Sequence, residues 1–116
     1  MTDIFKSDIK NIIKGINKKD YSIEELVNHF IKKVDSLDKF NLVSEKTYDE
    51  AITLAKKADT KSMEERRPLE GIPIAVKDIF CTVGNKTSAS SNILKNFKAP
   101  YESTVTKNLK DAGAIV

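Results

Sequence analysis

The fold is decided by the stretch Pro68-Leu69-Glu70-Gly71-Ile72-Pro73-Ile74-Ala75-Val76-Lys77-Asp78. Every position between Gly71 and Lys77 is apolar, and a Pro/Gly turn precedes this run. The pattern predicts a short, largely buried strand over residues 72–76 that ends at a lysine. Because lysine is seldom fully buried, Lys77 either extends its stem to solvent or is held inside the protein. Burial lowers the pKa of a lysine from about 10.4 and can leave the amine neutral, able to accept a proton.

Hydrophobic periodicity predicts four helices around this strand. They cover residues 5–16, 22–37, 47–58 and 103–112. The second helix opens with the capping-box pattern Ser22-Ile23-Glu24-Glu25, and the third opens with the similar pattern Thr47-Tyr48-Asp49-Glu50. Ser103 or Thr104 caps the fourth, and Gly113 stands where a helix-ending glycine belongs.

Three shorter segments complete the predicted fold. Residues 40–43 are predicted to form a short strand, and residues 114–116 are predicted to begin a sheet neighbour of residues 72–76. The charged run 61–67 is predicted to be a solvated helix end or loop. The order of elements predicts an α/β fold, in which N-terminal helices accompany the first strands of a mixed sheet covered by helices. Residues 1–116 would form the N-terminal part of a single domain.

The composition indicates a soluble globular protein of the cytoplasm. The chain has 116 residues, of which 40% are hydrophobic, and its net charge of +3 is too balanced to indicate nucleic-acid binding. No apolar run approaches the roughly 20 residues that span a membrane, and the N-terminal sequence contains no secretory signal. The single cysteine, Cys81, has no disulfide partner and no metal-site spacing, and is predicted to be a small buried hydrophobe in a reducing compartment.

Few residue types in this chain can carry chemistry. The single histidine, His29, is predicted to be a partly exposed residue in the middle of a helix, which argues against a histidine-based triad. The carboxylates lie mostly in adjacent pairs on helix surfaces and do not converge on one site. Lys77 with a hydroxyl partner therefore remains as the candidate, since a neutral lysine within hydrogen-bond reach of a serine can replace histidine as the base.

Four motifs resemble those of the amidase signature family. They are Gly71-Ile72-Pro73-Ile74-Ala75-Val76-Lys77-Asp78, Cys81-Thr82-Val83-Gly84, Ser91-Asn92-Ile93-Leu94 followed by Phe97, and Pro100-Tyr101-Glu102-Ser103-Thr104-Val105. The first is similar to a motif of the whole family, and the other three resemble its tRNA-dependent amidotransferase branch. The resemblance runs from about Ser22 to the last residue. The chain departs from the family pattern at Ile79-Phe80 and at Ser88, which leaves Lys77 in register.

The resemblance implies a Ser-Ser-Lys amidase in which Lys77 is the catalytic residue of this chain. It places both catalytic serines in a later glycine- and serine-rich segment, so the chain is expected to be an N-terminal piece that is inactive alone. Ser88, Ser90 and Ser91 match non-catalytic loop positions of the family. Asp78 is expected to hold the strand end or the lysine, and Thr87 is expected to shape the site. The substrate-binding residues stay open, and no metal ligand is expected.

The resemblance also implies a function for the whole protein, namely release of ammonia from glutamine to convert Glu-tRNA(Gln) or Asp-tRNA(Asn) into Gln-tRNA(Gln) or Asn-tRNA(Asn). The implied partners are the B and C subunits of an amidotransferase complex, with misacylated tRNA bound mainly by a partner protein. No cofactor is expected on this chain, while the complex would use ATP and magnesium. Two alternatives stay open: another amidase-family hydrolase acting on a small or lipid amide, and a non-catalytic helical interaction module built from the first three helices.

Overall fold

The computed structural model describes residues 4–116 and is predominantly helical. Its α-helices are α1 (Ile9–Lys18), α2 (Ile23–Ser36), α3 (Tyr48–Asp59) and α4 (Thr104–Asp111). Short 3-10 turns cover Ile4–Lys6, Asp38–Phe40 and Met63–Glu65. The four predicted helices are therefore present. Residues 1–3, on which the prediction about a secretory signal partly rests, lie outside the described residues.

Side-chain caps fix where three of these helices begin. Ser22 and Glu25 form the predicted capping box, with the Glu25 amide 3.0 Å from Ser22 Oγ and the Ser22 amide 2.8 Å from Glu25 Oε2. Ser103 accepts from the Thr106 amide at 3.2 Å and opens α4, as predicted. Asp8 caps α1, so this helix begins four residues after Phe5 instead of at it. The cap predicted at Thr47 is wrong, because its side chain accepts no hydrogen bond from α3.

The core lies around α2, which packs mainly against α3. Ile23, Leu26 and Val27 on α2 are fully buried, and burial of each such side chain stabilises the fold by about 1.5–3 kcal/mol. They pack against apolar residues of the other elements, namely Ile12, Ile16, Ala55, Ala58, Ile72 and Ile115. The Asp59 carboxylate at the end of α3 accepts from the amides of Ile23 and Glu24 at 2.8 and 2.9 Å. It therefore joins the end of α3 to the start of α2.

The predicted sheet is not confirmed, since residues 4–116 contain no regular strand. The segment 72–76 forms one parallel bridge, between Pro73 and Ile115, with the Ile74 amide 2.8 Å from the Ile115 carbonyl and the Ile115 amide 2.9 Å from the Ile72 carbonyl. The segments 72–76 and 114–116 are thus neighbours, as predicted. The amides of Leu69 and Gly71 also donate to the carbonyls of Ala112 and Gly113, at 2.8 and 3.0 Å, but no longer ladder forms, and neither segment has a second strand beside it within the described chain.

The strand predicted over residues 40–43 is wrong. Its first residue ends the 3-10 turn Asp38–Phe40, and Asn41 has a left-handed backbone with φ of +52°. Phe40 and Leu42 are 59% and 64% exposed. An apolar pattern specifies a strand only where a core or a neighbouring strand receives it, and neither lies against this segment.

A buried carboxylate, Glu70, ties α3 to α4. Its side chain is 4% exposed and accepts from Arg67 Nε at 2.7 Å and from Lys61 Nζ at 3.0 Å. Arg67 also donates to the carbonyl of Lys110 at 3.0 Å. Gly113 fits closely beside this cluster, because its φ is +99° and an added Cβ would lie 2.8 Å from Glu70 Cα. Residues 62–65 and Arg67 of the run 61–67 are exposed, as predicted, and Lys61 and Arg67 at its two ends also bind the buried carboxylate.

The hydrogen bonds of this cluster make the stability of the fold depend on pH. Burial alone would raise the pKa of Glu70, but the hydrogen bonds from Arg67 and Lys61 outweigh burial and lower the pKa to about 2. A carboxyl group whose pKa is lower in the folded chain than in the unfolded chain stabilises the fold at pH values above the unfolded pKa of about 4.3. That stabilisation is lost as the pH falls towards 2, and amounts to about 2 kcal/mol after allowance for the solvent exposure of Arg67.

We therefore predict that the wild-type chain loses helical circular dichroism between about pH 4.5 and pH 2. Glu70→Gln should reduce the helical signal already at pH 7, because it leaves two cations beside a neutral buried group, and should flatten the acid step. The control is Glu50→Gln on the exposed side of α3, which should follow the wild-type curve. Equal curves for the wild-type and Glu70→Gln chains would contradict the prediction.

The chain is elongated and leaves large apolar side chains exposed. Its radius of gyration is 14.8 Å, compared with about 13 Å for a compact domain of this length. Ile93 is 94% exposed, and the other exposed apolar residues include Ile79, Val83, Val105 and Tyr101. No helix within residues 4–116 combines the length and apolarity needed to cross a membrane. The exposed apolar surface indicates that the described chain does not bury its apolar residues as fully as a stable domain does.

We predict that the isolated chain is marginally folded and self-associates. Its extended segments offer unpaired backbone groups to other chains, and its helices have few partners. Circular dichroism should show partial helicity with a broad melt, and sedimentation should show oligomers that grow with concentration. A monodisperse monomer with a sharp, reversible thermal transition would instead favour an independent interaction module.

Candidate active site

Lys77 lies beside an open cavity of about 460 Å³. One wall is formed by α2 and the start of α3, a second by residues 41–48, and a third by residues 73–78. Apolar side chains line most of it, namely Val27, Phe30, Ile31, Val34, Ala51, Ile74 and Ile115. Polar residues also line it, namely Asn41, Ser44, Glu45, Lys46, Thr47, Tyr48, Lys77, Asp78, Thr82, Asn85, Lys86 and Ser90. Small-molecule sites are usually concave and largely apolar, with polar groups that orient the ligand.

The backbone around Lys77 is held in a tight turn. The Lys77 carbonyl accepts from the amides of Ile79 and Phe80 at 2.8 and 3.0 Å. These bonds end the extended segment at the lysine. Of the two alternatives for its side chain, the described chain shows the exposed one.

Asp78 binds Ser88 and makes no ion pair with Lys77 within the described residues. Its Oδ1 accepts from the Ser88 amide at 2.8 Å, and its Oδ2 accepts from the Ser88 hydroxyl. The Asp78 carbonyl accepts from the Ala89 amide, also at 2.8 Å. The hydrogen bond from the Ser88 hydroxyl, with smaller contributions from backbone amides of Ser88 and Ser90, lowers the pKa of Asp78. Of the two expected roles for Asp78, holding the strand end is the one these contacts serve.

The segment that Asp78 binds is a strained turn. The Ser91 amide donates to the Ser88 carbonyl at 2.8 Å, and the two central residues, Ala89 and Ser90, have φ of +48° and +57°. Two successive positive φ values are typical of a type I′ turn, which favours Asn and Gly. Holding a residue other than glycine in this left-handed conformation costs about 1–3 kcal/mol. Surrounding hydrogen bonds must therefore hold the turn in place.

Thr87 precedes this turn and is buried. Its amide donates to the Phe97 carbonyl at 3.0 Å, and an antiparallel bridge joins Lys86 to Lys98 beside it. The Thr87 hydroxyl is buried and has no hydrogen-bond partner in the part of the chain that the structure describes. Thr87 thus closes the base of the loop 86–98 and is not among the residues that line the cavity.

The remaining sequence candidates are His29 and Cys81. His29 is partly exposed on α2, as predicted, and stacks on Phe5 with ring centroids 4.6 Å apart. Cys81 is half-buried, which corrects its prediction as a buried hydrophobe, because it borders the exposed ring of Tyr101. A hydrogen bond with Cys81 raises the pKa of Tyr101. Neither His29 nor Cys81 lines the cavity.

The structure therefore brings together Lys77, Asp78 and Ser90 at the cavity, with Ser88 joined to them through Asp78. The bond between Asp78 and Ser88 was not predicted. The two residues are ten positions apart in an irregular segment, and no periodicity links them. The strained turn also escaped prediction, since Ser-Ala-Ser-Ser carries none of the Asn or Gly that marks such turns.

Comparison with known proteins shows the family of this chain. The family model described as Amidase matches residues 25–116. The chain belongs to the amidase family. The family resemblance predicted from the four motifs is confirmed.

Curated relatives match the chain along its whole length. The A subunit of glutamyl-tRNA(Gln) amidotransferase from Rickettsia bellii is 39% identical over 117 residues, which cover 100% of this chain and 24% of that protein. The protein of the same name from Ehrlichia canis is 43% identical over 119 residues, with the same coverage. The chain thus spans about a quarter of the length of these relatives.

Two solved structures have a backbone fold similar to that of this chain. An amidase family protein from Bacillus anthracis superposes with a TM-score of 0.89 at 29% identity, covering 97% of this chain and 23% of that one. A bacterial aryl acylamidase of the amidase signature family superposes with a TM-score of 0.85 at 22% identity, covering 94% and 24%. The expected fold is therefore confirmed at the level of the amidase signature enzymes, although the described residues do not themselves form a sheet.

Proposed function

We propose that this chain is the N-terminal quarter of a glutamine-hydrolysing amidase, the A subunit of a tRNA-dependent amidotransferase. The observation that carries the proposal is the similarity of the entire chain, at 39–43% identity, to the A subunits of glutamyl-tRNA(Gln) amidotransferases. The position of Lys77 among the residues that line the cavity supports it. The catalytic serines would come from residues beyond this chain.

In the proposed reaction, a serine oxygen attacks the side-chain amide carbon of glutamine. Lys77, acting through a second serine, takes the proton of the nucleophile and returns a proton to the departing nitrogen, which leaves as ammonia. Water then attacks the acyl-enzyme ester, releases glutamate and restores the serine. Lys77 begins and ends the cycle as a neutral amine.

The environment of Lys77 is compatible with this role once the cavity is covered. Desolvation lowers the pKa of an amine, whereas a neighbouring carboxylate raises it. Asp78 directs both of its oxygens to Ser88 and so provides no ion pair that would keep the lysine charged. Residues of the complete protein that cover the exposed amine would then favour its neutral form.

The ammonia would pass to a partner protein that activates misacylated tRNA with ATP and magnesium. The B and C subunits of the amidotransferase are the proposed partners, and most tRNA contact would belong to them. A net charge of +3 on this chain is consistent with that division, because a surface that binds nucleic acid by itself is usually strongly basic.

We predict that Lys77→Arg in the full-length protein, assembled with its partners, abolishes glutamine-dependent amidation of tRNA. Arginine keeps a positive charge and a long stem but cannot act as a base at neutral pH. Ammonia release from glutamine should fall by about 100-fold or more. Amidation supplied with ammonium chloride instead of glutamine should continue at the wild-type rate, since the partner performs that step.

The matched control is Lys86→Arg, at a lysine that also lines the cavity but lies outside the segment 72–77. It should retain glutamine hydrolysis. Near-wild-type hydrolysis by Lys77→Arg would contradict the catalytic role of Lys77. Loss of the ammonium-supported reaction would show that the substitution disrupts the complex.

We also predict that residues 1–116 alone release no ammonia from glutamine, because the proposed nucleophile lies elsewhere. Ammonia should remain at the buffer level in a coupled glutamate dehydrogenase assay. Release that disappears in Ser88→Ala, Ser90→Ala or Ser91→Ala would show that the nucleophile lies in this loop.

A further inference from the structure

We propose that Asp78 is a positioning residue, which holds the turn 88–91 in its left-handed conformation so that Lys77 and Ser90 face the same cavity in a fixed arrangement. The activity measurement that tests this proposal rests on the function proposed above. Its structural measurement is independent of that function.

The first step is the set of contacts between the two segments. Ser88 donates twice to the Asp78 carboxylate, once from its amide at 2.8 Å and once from its hydroxyl. Ala89 donates its amide to the Asp78 carbonyl at 2.8 Å. Three bonds thus fasten consecutive residues of the turn to the residue that directly follows Lys77. Hydrogen bonds to an ionised carboxylate are stronger than those between neutral groups.

The second step is the need for such support. Ala89 and Ser90 have positive φ values that glycine adopts freely and that residues with side chains avoid. The turn itself supplies one internal bond, from the Ser91 amide to the Ser88 carbonyl. Without the carboxylate, the segment would relax towards more ordinary backbone angles. Strain held in place by neighbouring groups is often found at functional sites.

The third step is what the turn places. Ser90 lines the cavity together with Lys77 and Asp78. A relaxed turn would move Ser90 and release the backbone that follows Lys77. The lysine would then lose its fixed distance to the reacting groups, and misplacement by about 1 Å is costly for catalysis. Asp78 therefore acts on the reaction through the positions of its neighbours and needs no contact with substrate.

The experiment compares Asp78→Asn, Ala89→Gly and the double variant in the full-length protein. Asp78→Asn keeps the size of the side chain but removes its charge and one acceptor. We expect kcat for glutamine hydrolysis to fall roughly 10- to 100-fold, with KM within about twofold of wild type. Ala89→Gly alone should be near wild type. In the double variant glycine should restore most of the lost kcat, because it adopts positive φ without support.

Hydrogen exchange gives the independent measurement. The amides of Ala89 and Ser91 should exchange faster in Asp78→Asn, and slow exchange of the Ser91 amide should return in the double variant. The control is Asp59→Asn, which removes another carboxylate that accepts from two amides, at the start of α2. It should lower the melting temperature, leave kcat unchanged and gain nothing from Ala89→Gly.

Each contrary outcome overturns the proposal. Unchanged exchange in Asp78→Asn would show that the carboxylate does not hold the turn. Loss of kcat that glycine at position 89 fails to restore would show that Asp78 acts by another route. If the wild-type protein does not hydrolyse glutamine, the function proposed above fails, and the exchange measurements still decide whether Asp78 holds the turn.

Discussion

Glu70 is a buried carboxylate between two cations, and the placement of the candidate site depends on it. Its bonds to Lys61 and Arg67 fasten the end of α3 to the turn that leads into residues 72–76. Arg67 extends the connection to the end of α4. The bridge between Pro73 and Ile115 follows directly from this arrangement, because both of its segments leave the cluster side by side. Lys77 directly follows residues 72–76, so contacts made several residues earlier in the chain help to set its position.

The two ends of residues 70–78 are held by the same physical device. At each end a carboxylate accepts several hydrogen bonds, from Arg67 and Lys61 at Glu70 and from Ser88 at Asp78. Between them the chain makes one bridge, at Pro73. The segment between the two carboxylates is therefore fixed at its ends and weakly paired in its middle.

Local features could be predicted from the sequence, and contacts between distant residues could not. The caps at Ser22 and Ser103 involve donors within three residues, so a short motif specifies them completely. The bond between Asp78 and Ser88 depends on the path of an irregular loop, about which periodicity says nothing. The strand wrongly predicted at residues 40–43 has the same cause, since an apolar run does not reveal whether anything covers it. The family motifs supplied the role expected of Lys77, which its own spacing left open.

The exposure of Lys77 follows from the same arrangement that makes it a candidate base. A lysine neutralised by its surroundings needs a dry environment and no carboxylate partner. The described chain provides no carboxylate partner, because Asp78 is turned towards Ser88. The apolar side chains of α2 contribute to a dry environment. The exposure of Lys77 and the orientation of Asp78 towards Ser88 thus both belong to the turn that follows residues 72–76.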